Sequence, residues 1–95
     1  MNWYSQLTQL ILNFYREHPP QHQRLDVLNY CKLSRRWGTL RIDCNSSETA
    51  REVIGASQLL TVPVAQLRLA QEVKIMVKGE VIKTLPIASS RSLLR

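Results

Sequence analysis

"CKLSRRWGTLRIDC", residues 31–44, decides how this chain is read. Val27, Cys31 and Leu33 fall on odd positions and Leu40, Ile42 and Cys44 on even ones, while Tyr30, Lys32, Ser34, Thr39, Arg41 and Asp43 take the alternates. A period of two with apolar residues on one side is the pattern of strands that bury one face. For both apolar sets to share a face of an antiparallel pair, paired positions must sum to an odd number, which disfavours a three-residue loop. Two hairpin registers survive. A loop over Arg35, Arg36, Trp37 and Gly38 places the glycine last, where left-handed backbone is wanted, and sets Ser34 opposite Thr39. A shorter loop, Trp37-Gly38, holds the tryptophan at positive φ, at a cost of about 1 kcal/mol or more. The longer loop sets Lys32 opposite Arg41 and the shorter one sets Lys32 opposite Asp43. Exposed like-charge pairs cost only about 0.2–1 kcal/mol, so backbone strain favours the longer loop, with Arg35 and Arg36 at the hairpin tip.

Upstream, "NWYSQLTQLILNFYREH" spaces Trp3, Leu7, Leu10, Ile11 and Phe14 as one apolar face of a helix. Asn2 is a fair N-cap, and Pro19-Pro20 stop the helix near His18, because a residue before proline is pushed out of the α region. The opposite face, with Gln6, Gln9 and Asn13, is neutral, whereas a membrane-surface helix wants lysine and arginine there, so the aromatic stripe reads as core-facing. "EHPPQHQ" is the one linker-like piece before the C-terminal end, and neither an internal repeat nor a low-complexity tract is seen.

Downstream, Asn45 with Glu48 three residues on has the form of a capping box, and Ala50, Val53, Ile54 and Ser57 give a short buried stripe that Gly55 weakens or ends. "LLTVPVAQLRLAQ" is ambiguous. Pro63 suits a first helical turn, yet Leu67 and Leu69 alternate with Gln66, Arg68 and Ala70 as in a strand. In "EVKIMVKGEVIKTLP", Val73, Ile75 and Val77 alternate with polar residues, Gly79 supplies a tight turn, and Val81 to Leu85 return before Pro86, a second hairpin. These elements imply one α+β domain over residues 1–88, an antiparallel sheet of two β-hairpins with two or three helices packed on one face. Residues 89–95, with Arg91 and Arg95, read as a flexible basic tail.

The chain has 95 residues, 44% of them hydrophobic, enough for one modest core. Its longest apolar run, Leu59 to Ala65, is broken by Thr61 and Pro63 and falls short of the roughly 18 residues of a membrane span. "LTQLILNF" lacks a preceding basic region and a small-residue cleavage site, so a secretory signal is not expected and a cytoplasmic protein is the default. Thirteen Lys and Arg against seven Asp and Glu give +6 and a pI near 9.9, which favours anionic partners. The charge is spread evenly, with its densest place at Lys32, Arg35, Arg36 and Arg41.

Catalytic signals are thin. Cys31 and Cys44 point to the same side but have no neighbouring Cys or His to complete a zinc site, and His18 and His22 lie in the proline-rich piece. A buried pair of reduced thiols is the expectation, since a cross-strand disulfide needs the shorter register and an oxidising setting. His18 has no local nucleophile or orienting group, the carboxylates are scattered, and Gly38, Gly55 and Gly79 stand singly, so no phosphate loop is present. The reading is therefore a non-enzymatic binding domain without catalytic residues, metal or cofactor. Tyr30, Lys32, Arg35, Arg36, Trp37 and Arg41 are the candidate binding residues, with arginines on phosphates and aromatics for stacking on bases. The aromatic runs that RNA-recognition sheets carry on central strands are missing, Tyr30 standing nearly alone. The alternative is a protein-interaction module or an assembly or regulatory subunit that docks on an acidic protein through Trp37, a sheet edge or the "SLLR" tail, with homo-oligomers also compatible.

Overall fold

The computed structural model describes residues 3–87. The elements run α1 (Trp3–Phe14), α2 (Pro19–Arg24), a 3-10 helix (Asp26–Tyr30), β1 (Cys31–Arg36), β2 (Thr39–Cys44), α3 (Ser47–Gly55), α4 (Ser57–Gln66), β3 (Glu72–Val77) and β4 (Glu80–Pro86). The strands make one sheet in the order β1-β2-β3-β4. Both hairpins are antiparallel, but β2 and β3 run parallel, so the sheet is mixed and the expectation of a wholly antiparallel sheet is corrected. The physical reason is the connection. Between Cys44 and Glu72 the chain forms α3 and α4, a crossover long enough to return it to the end of the sheet where β2 began, which is what a parallel neighbour requires. Alternation along a strand is the same in either sense, so the sequence pattern does not report it.

One core cluster joins the inward residues Leu33, Leu40, Ile42, Val73 and Ile75 of the sheet to Leu7 and Ile11 of α1, Ala50 and Val53 of α3, and Leu60 and Val64 of α4. The α+β expectation stands at that level, with four α-helices where two or three were expected. The "EHPPQHQ" piece is α2, whose first turn accepts Pro19 and Pro20 because their missing N–H groups would be unpaired there anyway. Its Arg24 donates to the Gly55 carbonyl at the end of α3, 2.9 Å away. Val27 and Tyr30, expected on the first strand, lie in the 3-10 helix instead.

Helix α1 ends at Phe14 rather than near His18, and its buried face is Leu7, Thr8, Ile11 and Leu12, continued by buried Tyr15 just past the helix. Leu10 and Phe14 of the expected stripe are 47% and 37% exposed, so the buried face is rotated toward Leu12 and Tyr15. The side chain of Trp3, the Asn2 cap and the 89–95 tail lie outside the described residues. For α3 the cap is Ser46, whose Oγ accepts from the Thr49 N–H at 3.2 Å, one residue after the expected Asn45. Among the described residues no helix is long and apolar enough to cross a membrane.

The ambiguous segment is helical as far as Gln66, and Pro63 sits inside that helix. Proline has no N–H to give the carbonyl four residues back, so the Leu59 carbonyl would be left without its helical partner. The Tyr15 hydroxyl donates to that oxygen at 2.8 Å. Burial of this hydroxyl also pushes its pKa up from 10.0. At the other end of α4 the Leu69 N–H donates to Val64 O (2.9 Å) and the Arg68 N–H to Ala65 O (3.1 Å), with Arg68 at φ 55. That is a Schellman closure with arginine where glycine is usual, sealed by buried Leu69 and Val64.

Tyr15 and Pro63 are therefore coupled. Tyr15→Phe should lower stability by about 1–3 kcal/mol, the cost of a buried carbonyl without a donor. In a Pro63→Ala background the introduced alanine supplies its own N–H to the Leu59 carbonyl, and the same Tyr15→Phe change should cost clearly less. Urea unfolding of the four proteins measures the difference, and equal costs in both backgrounds would refute the coupling.

Candidate functional site

The hairpin takes the shorter of the two registers. Arg36 pairs with Thr39, Arg35 with Leu40, Lys32 with Asp43 and Cys31 with Cys44. Trp37 and Gly38 form the turn at φ 54 and φ 76. The expectation of a four-residue tip carrying Arg35 and Arg36 is thus overturned. The strain at Trp37 is offset by carrying the ladder out to Arg36–Thr39, by the opposite charges of Lys32 and Asp43, and by what the turn does next. The Gly38 carbonyl accepts from the Gln71 N–H at 2.7 Å and from the Glu72 N–H at 3.3 Å, which fastens the tip to the start of β3.

This register separates the two arginines. Arg35 shares the parity of Leu33 and projects toward the helical side, where Nη1 donates to the Leu69 carbonyl at 3.3 Å, just beyond the closure of α4. It is a structural clamp. Arg36 projects to the opposite side and is exposed. Tyr30, 71% exposed, precedes the first residue of β1, at the far end of that strand from Trp37.

The residues on the outer face line up in rows across the sheet. One row is Arg36, Thr39, Glu72 and Pro86; the next is Ser34, Arg41, Lys74 and Thr84; the third is Lys32, Asp43, Met76 and Val81. In the first and third rows a cation shares the row with a carboxylate. The middle row has two cations, Arg41 and Lys74, side by side on the parallel pair. Glu72 lies near, its Oε2 3.9 Å from Lys74 Nζ and 3.3 Å from the Thr39 hydroxyl that donates to it. Arg36, Trp37, Thr39, Arg41, Lys74, Met76 and Val81 surround a shallow hollow of about 380 Å³. Trp37 at its rim is 92% exposed.

Of the six candidate residues, Arg36, Trp37 and Arg41 are brought together here, Lys32 stands on the same face, and Tyr30 and Arg35 are elsewhere. Lys74 was missed. Its place as an outward residue of a strand was legible, but its position beside Arg41 depends on the parallel pairing, for which the sequence has no local signal.

On the inner face the Cys31 and Cys44 sulfurs are 3.7 Å apart, Cys44 buried and Cys31 half-buried. Burial, then the neighbouring Cys44 and Asp43, push the Cys31 thiol up to about 12. Cys44 is also raised, chiefly by burial. His22 Nδ1 lies 3.9 Å from Asp26 at the surface. Among the described residues no group of three or more His, Cys, Asp or Glu is placed to hold a metal ion. Compared with protein-family models, curated proteins and solved structures, the chain matches none.

The thiol shift has a stability consequence under reducing conditions. The folded state holds the Cys31 proton more tightly than the unfolded chain, whose thiol titrates near 9.0. Its contribution is complete below pH 9 and is lost as pH rises toward 12. Denaturation midpoints should fall from pH 9 upward, and Cys31→Ala should flatten that fall. An equally steep fall in the variant would contradict the assignment to this thiol.

Proposed function

We propose that this chain is a non-enzymatic binding domain that holds single-stranded nucleic acid on the outer face of its sheet. One observation carries the reading: a hollow ringed by Arg36, Arg41 and Lys74, with the single carboxylate of Glu72 beside Lys74 and an almost fully exposed Trp37 at its edge. Arginine and lysine neutralise backbone phosphates, and an exposed indole offers a face on which an unpaired base stacks. A paired base has no such face free, which favours a single strand over a duplex. The overall +6 charge adds long-range attraction to the same partners. The alternative, docking of a protein, is favoured by one feature: β4 is an edge strand with Val81 and Ile82 each 45% exposed.

Titration of a fluorescently labelled oligonucleotide at increasing salt separates the two. With Lys32, Arg36, Arg41 and Lys74 engaged, the logarithm of affinity should fall with the logarithm of salt at a slope of about −3 for a single strand. Arg36→Ala with Arg41→Ala should make the slope shallower by about 1.4, while Arg35→Ala should leave it in place and lower stability instead. Trp37→Ala should weaken single-strand binding by about 1–3 kcal/mol and duplex binding much less. No binding at about 50 mM salt, or a slope indifferent to Arg36 and Arg41, would sink the nucleic-acid reading and leave the protein-docking one.

A further inference from the structure

We propose that Cys31 and Cys44 form an oxidisable pair that closes into an intrachain disulfide while the protein stays folded. The register carries the inference. In a hairpin with a two-residue turn the residues flanking the turn exchange hydrogen bonds, here Arg36 and Thr39, and bonded and non-bonded pairs then alternate along the ladder. Counting back, Ser34–Arg41 and Lys32–Asp43 are bonded pairs and Cys31–Cys44 is a non-bonded one. Non-bonded partners bring their Cα atoms to about 4.5 Å with side chains on the same face, inside the range of about 4.4–6.8 Å that a disulfide spans. The sulfurs are already 3.7 Å apart, so side-chain rotation closes the remaining gap to about 2.05 Å without moving the strands. Closure gives up little, because the thiols otherwise make only sulfur contacts with the Val27 carbonyl at 3.5 Å and the Ile42 carbonyl at 3.9 Å.

The two sulfurs have unequal access, and that orders the chemistry. Cys31, the half-buried one, meets a low-molecular-weight disulfide such as glutathione disulfide. Its thiolate attacks one sulfur of that reagent and expels one glutathione thiolate. The Cys44 thiolate then attacks the Cys31 sulfur of the mixed disulfide, forms the Cys31–Cys44 bond and expels the second glutathione. Two protein thiols are oxidised, one small disulfide is reduced to two thiols, and the protons lost by the cysteines end on those. Only the thiolate is nucleophilic, and the Cys31 proton leaves near pH 12, so the reaction is slow at neutral pH and quickens about tenfold per pH unit. The bond staples the point where the 3-10 helix enters β1 to the point where β2 leaves for α3, on the inner face and remote from Trp37. It cross-links residues 31 and 44 and so restricts the unfolded chain.

The test uses the whole reduced chain, incubated folded with glutathione disulfide at pH 7, 8 and 9, with intact-mass measurement and non-reducing peptide mapping. The expected product is a monomer about 2 Da lighter with Cys31 linked to Cys44, formed about tenfold faster at each step in pH and melting several degrees higher than the reduced protein. Cys31→Ser should give no such product. Disulfide-linked dimers in place of the monomer, a glutathione adduct that persists on Cys31, or two thiols that stay intact in the folded chain at pH 9 however long the incubation would each overturn the proposal.

Discussion

A chain that leaves the sheet at Cys44 and rejoins it at Glu72 running in the same direction has to travel back along the sheet before it can pair again. Everything else in this fold is arranged around that return. Helices α3 and α4 make it, and their apolar faces enter the core cluster with the inward residues of β2 and β3, where α1 and the 3-10 helix also meet them. The outward residues of the same strands are left in three rows that no described residue of the core cluster shares. The candidate binding face is thus the remainder of a packing problem: one side of the sheet is needed to bury the crossover, and the other is free to carry charge.

Polar contacts help secure the return at its joints, beside the buried Ala56 and Leu69. Ser46 caps the start of α3, and Arg24 of α2 bonds to the carbonyl at its end. Tyr15 satisfies the Leu59 carbonyl that Pro63 leaves open in α4. Arg35 holds the Leu69 carbonyl immediately after α4, and the Gly38 carbonyl receives the backbone N–H groups of Gln71 and Glu72 as β3 begins. These last two contacts run from hairpin 1 to the far end of the crossover. They fix where β3 lies beside β2, and with it the placement of Lys74 next to Arg41.

Strands β1 to β4, the α+β class and the termination of a helix at Gly55 were legible from periodicity and from isolated glycines. The register of the first hairpin was narrowed to two choices by parity alone, and the balance then tipped wrongly because the favourable terms were not local. A left-handed Trp37 looks costly by itself, and only the bonds from Gln71 and Glu72 to the turn show what offsets it. The sense of the β2–β3 pairing leaves no mark on a period of two. The same nonlocality altered the candidate site: with the register shifted, Arg35 faces the helices instead of a partner, and with the pairing parallel, Lys74 joins Arg41. Pro63, read as a first-turn residue, sits inside α4 for a related reason, since its tolerance there depends on the Tyr15 hydroxyl, bonded to Leu59 44 residues away.

Nuclear Overhauser contacts between strand backbones test the parallel return most directly. Antiparallel pairs bring α-protons of non-bonded partners into close contact, whereas parallel strands do not. The structure requires strong α-proton to α-proton contacts at Leu33–Ile42 in the first hairpin, none between β2 and β3, and α-proton to amide contacts that place Arg41 beside Lys74 and Ile42 beside Ile75. Strong α-proton to α-proton contacts between β2 and β3 would show an antiparallel sheet, and the crossover, the rows and the face built on them would all have to be abandoned.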